Sequence, residues 1–198
     1  LVLLPTVTLW LVNRRISEQA LAEARQTLTT ADAVFRNSLD ILGRGLAVRF
    51  RGVVNEPRFK AVAQLADAKT MSNFLRDSLE EYGGEIEFVT YSVEPGSMLA
   101  GARREARLDF ETFLRATSGL THDAFEGEVG TGTVFAAGRT YSVVTVPVPS
   151  GDRLSVAGVL TIGVRFGDHS LMELKSLTRT DIVVFAGGDV SATTLEHD

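Results

Sequence analysis

The sequence predicts an α+β protein in which a long N-terminal helix leads into a set of antiparallel strands. Three observations predict it. Residues 13–56 contain no proline and place apolar side chains at steps of three and four, the spacing of one helix face. After residue 84 the pattern changes to alternating segments rich in β-branched and aromatic residues, the mark of strands. Most of those segments are joined by loops too short for a crossover, so neighbours must run antiparallel. Helices and strands are segregated along the chain, as in α+β folds.

Composition bounds the function. The chain has 198 residues, 44% hydrophobic and 23% charged, which is ordinary for a globular protein with a real core. It has no Cys and three His. Disulfides, thiol nucleophiles and thiolate metal sites are excluded, and a His-based metal site has little to draw on. No metal or cofactor is expected. The net charge of −5 is uneven: residues 13–60 carry nine Lys/Arg against five Asp/Glu, leaving 11 against 20 for the rest. An acidic body on a mildly basic arm, with its cations spread around a helix, is not the footprint of a nucleic-acid binder.

Residues 1–12 are uncharged, hold the only Trp (Trp10), and are followed closely by Arg14 and Arg15. They are read as the outer part of a transmembrane helix, with Trp10 in the interfacial belt and the arginines among headgroups. The stretch is shorter than the roughly 20 apolar residues a span needs, and the chain's start is taken as a cut. A buried N-terminal helix or an uncleaved signal sequence are the alternatives. Pro5 decides nothing, since proline is tolerated in spanning helices.

The helix over 13–56 would reach about 60 Å at 1.5 Å per residue, more than the domain's own diameter. Its apolar residues are small or sparse up to Ala31 (Ile16, Ala20, Ala24, Leu28) and bulky beyond (Val34, Phe35, Leu39, Ile41, Leu42, Leu46, Phe50). The first half is therefore expected to be a stalk whose stripe from Ile16 to Ala31 pairs with a second protomer in a parallel dimer. The second half is expected to be domain core. Asn55-Glu56-Pro57 ends the helix, because the residue before proline avoids the helical region.

Helices are expected near 57–67 and 70–82, the second capped by Asp67 or Thr70 and stopped by Gly83-Gly84. A strand over 85–93 follows, then a type II turn at Glu94-Pro95-Gly96-Ser97. A return strand over 98–100, a loop over 101–108 and a helix over 109–118 capped by Asp109 come next. Strands are expected at 133–137, 139–148 and 155–166, with turns at Gly138 and 149–152. A helix over 168–177 and a hairpin over 181–193, turning at Gly187-Gly188, close the chain.

Little here can do covalent chemistry. The run Gly127-x-x-Gly130-x-Gly132 lacks the Gly-Lys-Ser/Thr ending of a phosphate loop, fails the dinucleotide pattern and precedes a strand rather than a helix. No Gly-x-Ser-x-Gly elbow exists. His122 with Asp123, and Asp168 with His169, are neighbours in sequence only. Glu85 and Glu87 share a strand face but fall just after Gly83-Gly84, where a solvated strand start is expected. The polar or amphipathic groups nearest the expected sheet are Tyr91, Arg103, Arg139, Tyr141 and Thr145. Tyr141, Val143 and Thr145 share one face. Aromatic walls with one or two arginines suit a small carboxylate or amino acid. The competing reading makes Tyr141 core and both arginines surface.

The chain resembles a Cache domain, the PAS-like extracytoplasmic input module of bacterial receptors. It is most similar to the double-Cache type found before histidine kinases, adenylate cyclases and diguanylate cyclases. The resemblance rests on the N-terminal apolar segment running into a long helix that ends at Asn55-Glu56-Pro57-Arg58-Phe59-Lys60-Ala61, and on Glu87-Phe88-Val89-Thr90-Tyr91 as first strand. It rests also on the strand of residues 139–148, ending Pro147-Val148, leading into Val156-Ala157-Gly158-Val159-Leu160. Residues 177–185 and 191–195 resemble the beginning of that type's second part. The amino-acid-binding motif of some Cache domains is absent, so that specificity is not carried over.

The resemblance implies a fold with the long helix packed on a PAS-like antiparallel sheet. Its expected parts are a spanning portion (1–12), a stalk or signalling helix (13–56) and a sensor module (57–195). It implies an extracytoplasmic ligand-sensing domain of a receptor in the cell inner membrane, with the sensor portion periplasmic. The segment itself is not an enzyme, and a catalytic output domain is left to lie outside it. The expected partners are a small-molecule ligand or a partner protein, the membrane, and a second copy through the stalk. The alternative is a structural or assembly subunit of a membrane complex with no small-molecule ligand.

Overall fold

A computed structural model describes the backbone of residues 3–84, 86–106, 109–136, 138–151, 155–166, 171–172, 175–177, 179, 181–186 and 189–195. Side chains are described from Arg25 onward, except those of 186, 189, 191 and 192. Helix α1 (Leu3–Asn55) is continuous over 53 residues, about 80 Å at 1.5 Å per residue. Residues 25–30 are all exposed, and partial burial begins at Ala31. Within the described part of α1 the exposed side chains thus precede the buried ones. Among the described residues no helix is long and apolar enough to cross a membrane.

Pro57 starts α2 (Pro57–Leu65) in its first turn, where its missing N–H is no loss. Asp67, not Thr70, caps α3 (Ala68–Glu81), its carboxylate accepting from the Thr70 amide at 2.7 Å. The sheet contains β1 (Ile86–Glu94), β2 (Ser97–Arg103), β3 (Gly130–Ala136), β4 (Arg139–Pro149) and β5 (Val156–Arg165). It is antiparallel throughout, in the order β2-β1-β5-β4-β3. The β1–β2 turn has Gly96 at φ 77°, and the β3–β4 turn has Gly138 at φ 75°, conformations that favour glycine. Helix α4 (Phe110–Phe125) joins β2 to β3, with Asp109 accepting from the amides of Glu111 and Thr112.

The central strands are buried on both faces. The inner face packs on α1, α2 and α3 through Phe50, Val54, Phe59, Met71, Leu75, Tyr91, Val144, Val146, Leu160 and Ile162. The outer face, carrying Phe88, Tyr141 and Val143, is covered by α4 through Phe113. A separate cluster joins Phe35 and Leu39 of α1 to Phe166, Leu171, Ile182 and Val184. The last hairpin pairs β6 (Val183–Ala186) with β7 (Asp189–Thr193) as its own two-stranded sheet; the expected Gly187-Gly188 turn lies outside the described residues. Of the expected helix over 168–177, residues 171–172 and 175–177 are described and helical.

Two expectations are corrected. Residues 101–103 are not loop but the end of β2, paired with Phe88–Thr90. Arg104 just beyond donates to the carbonyls of Ile86, Leu79 and Gly83, tying the sheet edge to the C-terminal end of α3. The helix expected over 109–118 runs on to Phe125, because Thr121 and Ala124 are buried beneath it while Gly119 faces open space.

Candidate functional site

The outer face of the sheet is built in rows. Register pairs Thr90 with Thr161 and Thr161 with Thr145, while Phe88, Gly163 and Val143 form the next row. Thr145 then faces Gly130 and Val143 faces Gly132 on β3. The glycines are where α4 sits. A Cβ on Gly163 would stand 2.9 Å from the Phe113 ring, one on Gly101 2.9 Å from Phe110, and one on Gly132 3.1 Å from Leu120. Glycine at these rows lets the helix descend onto the strands. Phe113 then stacks on Phe88 at 4.2 Å with the rings 7° from parallel, and Tyr141 meets Phe88 edge-on at 5.4 Å.

Four of the five residues singled out in the sequence lie along this face or its rim. Tyr141 is fully buried between Phe88 and Phe113. Its hydroxyl makes no hydrogen bond, although Arg139 approaches it. Burial first, and the charge of Glu87 second, push its pKa up to about 12, with Arg139 opposing the rise. Thr145 is buried and its hydroxyl donates to the Leu120 carbonyl at 3.0 Å, anchoring α4. Arg139 opens β4 at the rim, 2.9 Å from Glu105 and 3.6 Å from Glu87. Glu105 hydrogen-bonding raises its pKa further. Arg103, exposed at the end of β2, lies 4.8 Å from the centre of the Phe110 ring.

Tyr91 is not brought to the others. It faces the inner side, edge-on to Phe59 at 5.9 Å, where Gly158 leaves room for its ring. The outer position beside it belongs to Thr90, which is fully buried with an unpartnered hydroxyl.

Sequence reasoning missed Glu87. It sits at an irregularity in β1–β5 pairing and is 3% exposed, not at a solvated strand start. One carboxylate oxygen lies 3.2 Å from Arg165, and the other lies near Arg139 without a hydrogen bond. Among the described residues, the buried side-chain polar atoms without a hydrogen bond are Glu87 Oε2, Thr90 Oγ1 and Tyr141 Oη. Buried polar atoms are usually satisfied. Hydroxyls, a carboxylate oxygen, an arginine and aromatic rings are the kinds of group that sites for small polar molecules use. Phe113 fills the space above Gly163.

Among the described residues nothing on this face forms a nucleophile–base pair. His122 and Asp123 are exposed on α4, and Asp168 and His169 lie outside the described residues. Among the described residues no group of three metal-ligating side chains exists. The glycine run serves packing: Gly130 and Gly132 lie under Leu120, and Thr131 between them meets Gly43 of α1.

This is a PAS-like α+β fold, with a long helix on one face of a five-stranded antiparallel sheet and a shorter helix on the other. Solved structures of sensor domains share it. The periplasmic domain of Vibrio cholerae LuxQ matches with a TM-score of 0.54 and 12% identity, over 85% of this chain and 79% of that one. The ligand-binding domain of the Campylobacter jejuni chemoreceptor Tlp3, solved with L-norvaline, matches with a TM-score of 0.50 and 11% identity, over 89% of this chain and 70% of that one. Neither a protein-family model nor a curated protein matches the sequence. At such identities the likeness is one of fold.

Proposed function

We propose that the chain is the extracytoplasmic ligand-sensing domain of a membrane-bound signal-transduction receptor, of the histidine kinase, adenylate cyclase or diguanylate cyclase kind. The observation that carries the proposal is the placement of α1. It is exposed over residues 25–30 and built into the inner face of the sheet from Phe50 to Val54. A displacement of the sheet must move one end of that rod. The other end carries the apolar residues 1–12, which anchor it in the inner membrane, with the sensor module in the periplasm.

The ligand is a small molecule held on the outer face. Arg139 and Arg103 recognise its charged group at the rim, while Tyr141, Thr90 and Thr145 meet its polar atoms. Tyr91 supports the same strand from behind. Ligand binding favours the arrangement in which α4 is displaced, and signalling follows only from unequal affinity for the two arrangements. Two protomers pair through α1, so that a shift in each helix is read as a change between them. The segment catalyses nothing itself.

Thermal-shift measurement on the purified chain, against amino acids, organic acids and amines, tests this reading. A ligand at about 100 times its Kd stabilises the folded state by about 2.7 kcal/mol, about 5–11 °C for a chain of this size. Arg139→Ala should weaken the shift. Silence across all three classes overturns the reading.

A further inference from the structure

The two edges of the five-stranded sheet are treated differently. At one, α3 packs against β2, Arg104 ties the strand's end to α3, and Arg103 adds a charge there. At the other, β4 outruns β3: Gly130 pairs with Thr145, and among the described residues Val146–Pro149 have β5 alone as a neighbour. On that stretch Pro147 and Pro149 stand two residues apart, so their backbones turn to the same side. Proline is accepted in sheets where its missing N–H faces away from the ladder. Both therefore face the open side and leave it without donors, which discourages pairing.

Strand β3 has no such protection. Gly130–Ala136 reads Gly-Thr-Gly-Thr-Val-Phe-Ala, without charge or proline, and among the described residues β4 is its one sheet neighbour. Every second residue of an antiparallel strand turns its N–H and C=O away from its partner, so half of β3 offers both to the outside. Thr131, Thr133 and Phe135 are exposed, Phe135 by 43%, whereas Gly130 and Gly132 lie under Leu120 and present no side chain. An edge is ordinarily blunted by lysine, proline or a covering element, and an open uncharged one is a template for another strand.

We infer that the free edge of β3 is a docking site for an extended segment of a partner protein, which adds to the sheet as a sixth strand. Main-chain hydrogen bonds supply the affinity and alternate side chains the choice of partner. The segment that fits is uncharged and free of proline, with a bulky residue opposite Gly132 and a small one opposite Phe135. The contact is about 23 Å long and about 10 Å across, about 230 Å² and less than a third of the roughly 800 Å² per partner of a stable interface between folded bodies. That suits a flexible segment that comes and goes rather than a permanent subunit. A second copy of this chain does not fit: two β3 strands pair antiparallel about an axis normal to the sheet, which sets the two α1 helices antiparallel. This exclusion rests on the proposed receptor reading, in which both helices enter one membrane from the same side; the site itself does not.

The probe is a labelled synthetic peptide with the sequence of residues 139–146, the strand that β3 already accepts on its other side, read by fluorescence anisotropy on the whole chain. Saturable binding is expected. Thr133→Lys sets a charge in the middle of the edge and should weaken binding at least about tenfold, with the melting temperature within about 2 °C of wild type. Thr133→Val should keep the affinity, as should Leu65→Lys at a position 65% exposed elsewhere. N-methylation of alternate peptide residues separates strand addition from mere adhesion: methyl groups on one alternate set face β3 and abolish binding, whereas those on the other set face outward and leave it intact. No binding, equal loss from both methylated sets, affinity indifferent to Thr133→Lys, or a dimer of this chain that Thr133→Lys dissociates in sedimentation overturns the inference. The lysine variant keeps its outer face intact, so its thermal shift with small ligands judges the receptor reading separately.

Discussion

Tyr141→Phe separates a binding hydroxyl from an ordinary core tyrosine by the sign of one number. A buried tyrosine whose hydroxyl is hydrogen-bonded loses about 0.5–1.5 kcal/mol when truncated to phenylalanine. In this protein the hydroxyl is buried with no partner, so the folded state already bears a desolvation penalty of about 1–3 kcal/mol. Phenylalanine keeps the ring against Phe88 and Phe113 and removes the penalty. The variant should melt higher, by at least about 2 °C at the 2–4 °C per kcal/mol usual for this size. It should also change the alkaline limb. The folded pKa of about 12 stands above the ordinary tyrosine value of 10.0, so the stability linked to this group is whole below pH 10 and is lost as pH rises towards 12. Wild type should lose about 1.4 kcal/mol per pH unit from this group over that window, and the variant should not. Urea titrations at pH 7, 10, 11 and 12, with ligand thermal shifts on both proteins, make the measurement. Higher stability with weaker ligand response is expected. A variant less stable than wild type at pH 7 refutes the reasoning, because it means the hydroxyl is satisfied in the folded protein.

Two further substitutions probe how the outer face is assembled. Arg104→Ala removes the donor to three backbone carbonyls and should cost about 2 kcal/mol, since hydrogen bonds from charged groups contribute about 1.5–3 kcal/mol; chemical denaturation reads it, and a loss below about 0.5 kcal/mol would mean water replaces the guanidinium freely. Gly163→Ala places a methyl 2.9 Å from the Phe113 ring and should destabilise by about 1–3 kcal/mol through overpacking, while increasing binding of an apolar dye as α4 is lifted; unchanged dye binding argues that the helix accommodates the methyl without moving.

The long helix and its end were legible because one pattern, uninterrupted to Asn55-Glu56-Pro57, had no competing reading. Strand positions were legible for a similar reason. The face each strand presents was not, because β1 is buried on both sides from Ile86 to Ser92: polarity then carries no information about direction, and Tyr91 could be grouped with Tyr141 although they face apart. Glu87 was missed because its partners, Arg139 and Arg165, come from β4 and β5, far along the chain, so nothing local distinguishes a buried acid from a solvated one. β2 was read short because Gly101-Ala102-Arg103 has weak strand propensity; it is strand because β1 offers a partner, a tertiary override of local preference.

The glycine run, which fitted no nucleotide motif, acquires its meaning from both helices at once. Strand β3 lies at the sheet edge, with pairing on one side only. On it Gly130 and Gly132 lie under Leu120 of α4, whereas Thr131 lies over Gly43 of α1, where an added Cβ would stand 3.1 Å from it. Consecutive residues thus touch the helix that closes the outer face and the helix that leaves the domain. An edge strand bends more readily than a central one, whose two neighbours hold it. If α4 is displaced, Leu120 withdraws from the two glycines, and Thr145 loses the carbonyl that holds its hydroxyl. The freed strand can then carry Thr131 with it. Because Gly43 presents no side chain, that movement is met directly by the backbone of α1, where a rigid rod converts it into tilt or translation along its whole length. On the proposed receptor reading, coupling between the faces would need no rearrangement of the buried β1–β5–β4 centre, only a shift at the strand that both helices share.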